Sequence, residues 1–180
     1  VLFSSIATGI SEAKNLLMSE DVLASIDVIK KLGIKVKKKD NSLKIYGKGI
    51  DGYKYRKNLV LNAKNSGTLG RLILGLIINS PKTIKLVGDN SLSKRDFKRV
   101  TLPLSNFGAK FKFKKKNGLP LTIKGSENLK PINYTETKGS AQCKSSIIFG
   151  GMRTDGKTLI KAKKSRNHTE LFCKYLKLPI

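Results

Sequence analysis

The chain is 180 residues long and carries 37 Lys and Arg against 12 Asp and Glu, a formal charge of +25 at pH 7. That length suits one domain rather than two, and 39% hydrophobic residues supply enough apolar material for a core, which excludes a disordered basic tail. The longest strongly apolar stretch, residues 72–78, contains Gly75 and falls far short of the roughly 20 residues a membrane span needs, so no transmembrane helix is expected.

The opening VLFSSIATG has neither a basic leader nor an initiating Met, and the expectation is that the chain is a fragment. Next, EDVLASIDVIKKLG places Val22, Ile26 and Ile29 at helical spacing, with acids first, Lys30 and Lys31 last and Gly33 as a C-terminal cap. IKVKKK and SLKIYG then alternate across a turn at Asp40 and Asn41, predicting a hairpin with one lysine face.

The same order returns. NSGTLGRLILGLIIN predicts an apolar helix, RDFKRVTLPLSNFG a second helix, and AKFKFKKK and LPLTIKG a hairpin over Asn117 and Gly118. A third round begins with SAQCKSSIIFGG and SRNHTELFCKYLKLP. Asp21 precedes Gly33, Asp96 precedes Gly108 and Asn167 precedes Pro179 by the same twelve residues. The first round lacks the polar opening that NSGTLGR supplies to the second, and the third stops before its hairpin, so both ends read as cut.

Helices without a polar face belong inside, and strands with one charged face belong at the surface. The expected class is therefore α+β (mixed α/β), with repeated helix–strand–helix–hairpin units around a shared helical core. The units are placed at about 1–49, 50–125 and 126–180, in an incomplete single domain.

The charge excess invites nucleic acid, because Lys and Arg neutralise phosphates. Yet 31 of the 37 basic residues are Lys, whereas bidentate phosphate and base-edge recognition favours Arg. Small anionic substrates answer to the same field. Asn65, Ser66, Gly67 and Thr68, with Arg71 a turn later, open an apolar helix whose free N–H groups could bind an anion; an ordinary cap would use the same residues. Ser140, Ala141, Gln142, Cys143, Lys144 and Ser145 stand at the equivalent place in the third unit, with the same two readings. Ser93, Lys94, Arg95, Ser165 and Arg166 are expected at further helix starts, or as solvated basic loops.

His168 has no Ser, Cys or acid partner placed by sequence, so a capping or ligand-contact role is expected rather than general catalysis. Cys143 and Cys173 form no CxxC or zinc pattern, which predicts no metal site and fits a reducing cytoplasm. The 12 acids are scattered, so paired-carboxylate hydrolysis lacks support.

Taken together in order, NSGTLGR, GDNSLSKRDFKRV, LPLSNFGA, GLPLTIKG, SAQCKS and SRNHTE resemble the motif set of the 5-enolpyruvylshikimate-3-phosphate synthase family over essentially the whole chain. The resemblance implies the enolpyruvyl transferase fold, of two domains with three repeats each. It also implies transfer of an enolpyruvyl group from phosphoenolpyruvate to the 5-hydroxyl of shikimate 3-phosphate, through a tetrahedral adduct that loses phosphate. No metal or organic cofactor is implied, and the intact enzyme is expected to be a cytoplasmic monomer.

By that resemblance Ser140, Ala141, Gln142 and Ser165 would hold shikimate 3-phosphate, and Gly67, Arg95 and Gln142 phosphoenolpyruvate. Asn65, Arg71, Arg166 and His168 would support them. The catalytic groups, an opening Lys–Ser–Arg motif and the second domain would lie outside residues 1–180. Four positions depart from the pattern: Lys64 stands where Gly is common, Leu69 and Gly70 replace a Thr–Ala pair, and Asp96 replaces a Pro. Two rivals are a relative of UDP-N-acetylglucosamine enolpyruvyl transferase, whose usual Cys position is Asn90 here, and a basic nucleic-acid-binding module.

Overall fold

The computed structural model describes residues 1–180, in which seven helices and nine strands alternate. A short helix α1 (Leu2–Ile6) leads into strand β1 (Thr8–Lys14), helix α2 (Glu20–Lys31) and the hairpin β2 (Lys35–Lys39) and β3 (Ser42–Lys48). Ser19 caps α2 by accepting the Val22 N–H, the acids Glu20 and Asp21 sit in its first turn and Lys30 and Lys31 in its last, which suits the helix dipole. Gly33 then takes the left-handed conformation that ends the helix, with φ +86°.

The second round consists of β4 (Val60–Asn62), α3 (Gly67–Leu76), β5 (Thr83–Val87), α4 (Asn90–Ser93), α5 (Lys98–Asn106), β6 (Lys110–Phe113) and β7 (Leu121–Lys124). The third consists of β8 (Asn133–Glu136), α6 (Ala141–Gly151), β9 (Leu159–Ala162) and α7 (His168–Tyr175). Sheet order β4-β5-β7-β6 repeats the order β1-β3-β2 with one strand added at its edge. That added strand pairs in parallel, β4 with β5 and β8 with β9.

The repeating unit is thus strand–helix–strand–helix–hairpin. Its opening strand was not anticipated by the sequence reading, because three or four residues are too few to show a period of two. A second correction concerns Ser93, Lys94 and Arg95, which do not open a helix. Asp89 accepts the Leu92 N–H at 2.7 Å and starts α4 at Asn90, while the Asp96 carboxylate accepts the Lys98 N–H at 2.8 Å just before α5. Arg95 lies in the turn between them.

Helices fill the interior. Leu69, Ile73, Leu74 and Leu76 of α3 and Ile147 and Phe149 of α6 are among 33 residues of one buried apolar cluster. Burying each such side chain contributes about 1.5–3 kcal/mol. The two helices touch closely at Gly75, where an added Cβ would stand 2.1 Å from the Ser146 carbonyl oxygen. Lysines occupy the outer sheet faces: Lys110 pairs with Lys124 across β6 and β7, and Ile123 and Phe111 alternate inward.

Pro103 in α5 ties the helices further. Having no N–H, it leaves the Arg99 carbonyl without its helical partner, and the Cys143 thiol of α6 donates to that oxygen at 3.1 Å. No helix is long and apolar enough to cross a membrane.

Candidate functional site

The N-terminal ends of α3 and α6 lie side by side and are built alike. Ser66 caps α3 by accepting the Leu69 N–H at 3.2 Å, and Ser140 caps α6 by accepting the Cys143 N–H at 3.2 Å. In each helix the first ladder bond returns to the cap, from Gly70 to the Ser66 carbonyl and from Lys144 to the Ser140 carbonyl. The N–H groups of Gly67 and Thr68, and of Ala141 and Gln142, find no acceptor. The capping and anion-binding readings are therefore compatible: the serine satisfies the third amide and leaves the first two free.

Arg71 joins the two helix ends. Its Nη1 donates to Gln142 Oε1 at 2.5 Å, and Gln142 Nε2 donates to Thr68 Oγ1 at 2.9 Å. Arg71 is 3% exposed, lies over the Phe97 ring at 5.3 Å and has a buried Nε without a partner. Burial, then the charges of Arg99 and Arg95, draw its guanidinium down from the usual arginine range to about 10, with Asp96 opposing. No carboxylate lies within ion-pair distance of it.

Arg95 reaches the same place from the α4–α5 turn. A Cβ on Gly67 would stand 3.0 Å from Arg95 Nη1 and 3.1 Å from Arg71 Nη1, so glycine there keeps both guanidiniums against the helix start. Lys64, two residues before the cap, holds φ +53°, which explains why glycine suits that position. Asp96 spends its carboxylate on the Lys98 N–H beside Arg95.

The third wall comes from the segment between β9 and α7 and from the start of α7. Arg166, His168 and Thr169 line an open hollow with Thr68, Ala141 and Gln142. Ser145 and Thr169 hydroxyls share a hydrogen bond of 2.7 Å, and Lys144 is ion-paired with Glu170 rather than free in solvent. Ser165 Oγ is buried without a partner. Ser165 and Arg166 precede the cap residue Asn167 rather than opening α7 themselves. Asn65 is exposed just before the Ser66 cap. Burial pushes the Cys143 thiol up to about 11, which leaves it protonated and unreactive at neutral pH.

The fold gathers residues legible at the helix starts, and two features that organise them are not legible in the sequence: a hydrogen-bond chain between the helices and the residue Glu136. The Arg71–Gln142–Thr68 chain spans more than 70 positions and leaves no local signal. Glu136, buried at the end of β8, accepts the Lys138 and Ser140 N–H groups at 3.0 and 2.9 Å. Its only sequence trace is an acid at the end of a strand four residues before a helix cap.

Known proteins resemble the chain in sequence and in fold. The family model described as EPSP synthase (3-phosphoshikimate 1-carboxyvinyltransferase) matches residues 1–180. The chain is 42% identical over 172 residues to the 3-phosphoshikimate 1-carboxyvinyltransferase of Streptococcus mutans, covering 94% of this chain and 40% of that protein. It is 43% identical over 176 residues to that of Caldicellulosiruptor saccharolyticus, covering 97% of this chain and 40% of that protein. The crystal structure of EPSP synthase from Acinetobacter baumannii superposes with a TM-score of 0.89 at 31% identity, over 96% of this chain and 39% of that one. The chain spans about 40% of the length of the curated relatives it matches.

Proposed function

The chain belongs to the EPSP synthase family, and from that premise we propose that it forms one wall of the substrate cleft of a 3-phosphoshikimate 1-carboxyvinyltransferase. The reaction joins the 5-hydroxyl oxygen of shikimate 3-phosphate to the central carbon of phosphoenolpyruvate. The hydroxyl gives up its proton and the methylene carbon takes one up to become a methyl group; phosphate then leaves with one methyl proton and the vinyl double bond is restored. The carrying observation is the pair of serine-capped helix starts, each with two free amides, linked by a buried arginine that has no counter-ion.

In this reading Ser140, Ala141 and Gln142 hold shikimate 3-phosphate, and the unsatisfied Ser165 hydroxyl contacts its phosphate. Gly67 and Arg95, with Gln142, hold phosphoenolpyruvate; the Arg95 fork suits its carboxylate or phosphate. Arg71 fixes Gln142 and adds charge, Arg166 and His168 line the hollow, and Asn65 supports the start of α3 from the residue before its cap. Donors already aimed at an anion in a partly desolvated site cost no reorganisation when charge shifts during reaction. Groups that move protons come from the remainder of the full-length enzyme.

We assign the repeats to about 1–49, 50–125 and 126–180, which the recurring sheet order supports. We place the intact enzyme in the cytoplasm as a monomer, a compartment that suits two buried, unbridged thiols, Cys143 and Cys173.

A thermal-shift titration tests the reading. Shikimate 3-phosphate is compared with shikimate, inorganic phosphate and a DNA duplex at two salt concentrations. A ligand at 100 times its Kd stabilises the folded state by about 2.7 kcal/mol. The reading predicts a saturable rise in Tm specific to shikimate 3-phosphate. A rise with DNA alone that vanishes at high salt would instead support a nucleic-acid module.

A further inference from the structure

Glu136 is the one acidic residue among the buried polar and charged side chains, at 5% exposure. A buried carboxylate is costly unless hydrogen bonds satisfy it, and a cation is the usual partner. Here no Lys, Arg or His nitrogen lies within 4.0 Å of it. Both oxygens are instead taken by backbone amides of the loop that enters α6: Oε1 by Lys138 and Oε2 by Ser140.

The same residue fastens a second segment. Its carbonyl oxygen accepts the Lys163 N–H at 3.0 Å, extending the parallel pairing of β8 with β9 two residues short of Ser165. Gly139 closes the gap between the segments: its φ is +67° and a Cβ there would stand 3.3 Å from the Lys164 carbonyl oxygen. Glu136 therefore holds both strips of chain that carry Ser140, Ala141, Gln142 and Ser165.

The arrangement also decides which amides remain for a ligand. With the Lys138 and Ser140 N–H groups on Glu136 and the Cys143 N–H on the Ser140 hydroxyl, the free donors in the first turn of α6 itself are those of Ala141 and Gln142. Were the carboxylate absent, Lys138 and Ser140 would add two donors toward the end of β8, and a phosphate could seat there, displaced from the α6 start. The negative charge of Glu136 repels an anion from that lower position.

We propose that Glu136 is a positioning residue that sets where shikimate 3-phosphate seats, by consuming two backbone donors and leaving the Ala141 and Gln142 pair; this rests on the substrate reading above. It touches no reacting atom and acts through the loop it holds.

The test uses the full 180-residue chain as wild type, Glu136→Gln and Glu136→Asp. Glutamine keeps the shape but sets an NH2 group against one of the two N–H donors, whereas aspartate keeps the charge on a shorter arm. Amide hydrogen exchange is read without ligand. In Glu136→Gln the Lys138 and Ser140 amides exchange at least tenfold faster, and the Leu69 amide of α3 is unchanged. Calorimetric titrations with shikimate 3-phosphate and with inorganic phosphate then give an affinity ratio. Glu136→Gln binds shikimate 3-phosphate about tenfold more weakly and inorganic phosphate as well as or better than wild type, with partial recovery in Glu136→Asp.

Equal weakening for both ligands would mark Glu136 as merely structural and overturn the proposal, as would unchanged exchange at Lys138 and Ser140. If wild type ignores shikimate 3-phosphate while exchange responds as expected, the substrate reading fails and the claim about seating falls with it. The hold of Glu136 on the loop then stands as a separate fact.

Discussion

The two ends of the α3–α6 pair each bury an arginine, and they treat it differently. Beyond the C-terminal end of α6, the Arg153 side chain is 1% exposed and its Nη1 lies 3.0 Å from Asp51 Oδ1. Its Nη2 donates to the Ile50 carbonyl oxygen. Asp51 also accepts from Asn79 at 3.4 Å, and Asn79 accepts from the Tyr55 hydroxyl at 3.0 Å. Arg71 at the opposite end has a neutral amide and an aromatic ring, with Arg95 and Arg99 adding charge of the same sign.

One cation is neutralised by the fold and the other is left for something else to neutralise. A surplus of +25 says little about partners when nearly all of its lysines are exposed, on sheet faces, helix ends and loops alike. Burial without a counter-ion distinguishes Arg71 from that surplus.

The contrast can be broken at its middle. Gly75→Ala would drive a methyl into the Ser146 carbonyl where the helices touch; overpacking costs about 1–3 kcal/mol, and a backbone obstacle at 2.1 Å places this change at the upper end. Urea unfolding should show that loss, and both ends should lose their geometry together.

Exchanging the two arginines for methionine sharpens it. Arg153→Met removes charge-assisted hydrogen bonds worth about 1.5–3 kcal/mol and should lower the urea midpoint while leaving ligand-induced thermal shifts intact. Arg71→Met removes a buried charge without a counter-ion, so stability should change less, while affinity for shikimate 3-phosphate should fall at least tenfold. Equal losses of stability with ligand response retained in both would erase the distinction.

Alkaline pH sets the two ends against each other. Burial raises Tyr53 from 10 to about 12, and raises Tyr55 as well. Groups with raised folded pKa values contribute stability below pH 10 and lose it as pH climbs toward 12, because the unfolded chain releases the proton first. Arg71 has a lowered folded pKa, so above about pH 10 the unfolded chain holds its proton longer, and that group alone makes stability rise with pH. Two tyrosines outweigh one arginine, so stability should fall above pH 10. The double variant Tyr53→Phe, Tyr55→Phe should flatten or reverse that fall.

The smallest effect is expected at the loop before α3. Lys64 at φ +53° pays the left-handed penalty of an L-residue, about 1–2 kcal/mol, offset by the roughly 0.5–1 kcal/mol entropic cost of glycine. Lys64→Gly should therefore raise Tm by a few degrees at most, without altering ligand response.

Much of the fold was legible because apolar helices and lysine-faced hairpins recur in one order, and α2, α3, α4 and α6 each carry a side-chain cap. The opening strands β4 and β8 were not, since VLN and NYTE are too short to show alternation. Asp89 and Asp96 moved the expected helix start away from Arg95 through two local capping bonds that motif spacing alone does not reveal. At the site, residue types at the helix starts were readable one motif at a time. Their convergence was not: the Arg71–Gln142 bond joins two repeats, and the role of Glu136 depends on backbone amides that sequence does not mark.

The central claim is that the free amides at the starts of α3 and α6 are the anion-binding groups. Backbone amide resonances of the chain, followed during titration with shikimate 3-phosphate and then phosphoenolpyruvate, test it most directly. The first ligand should move Ala141 and Gln142, and the second Gly67 and Thr68, each along a saturable curve. Changes confined to the lysine face around Lys110, Lys112 and Lys124, or no saturable change at any of the four amides, would contradict it.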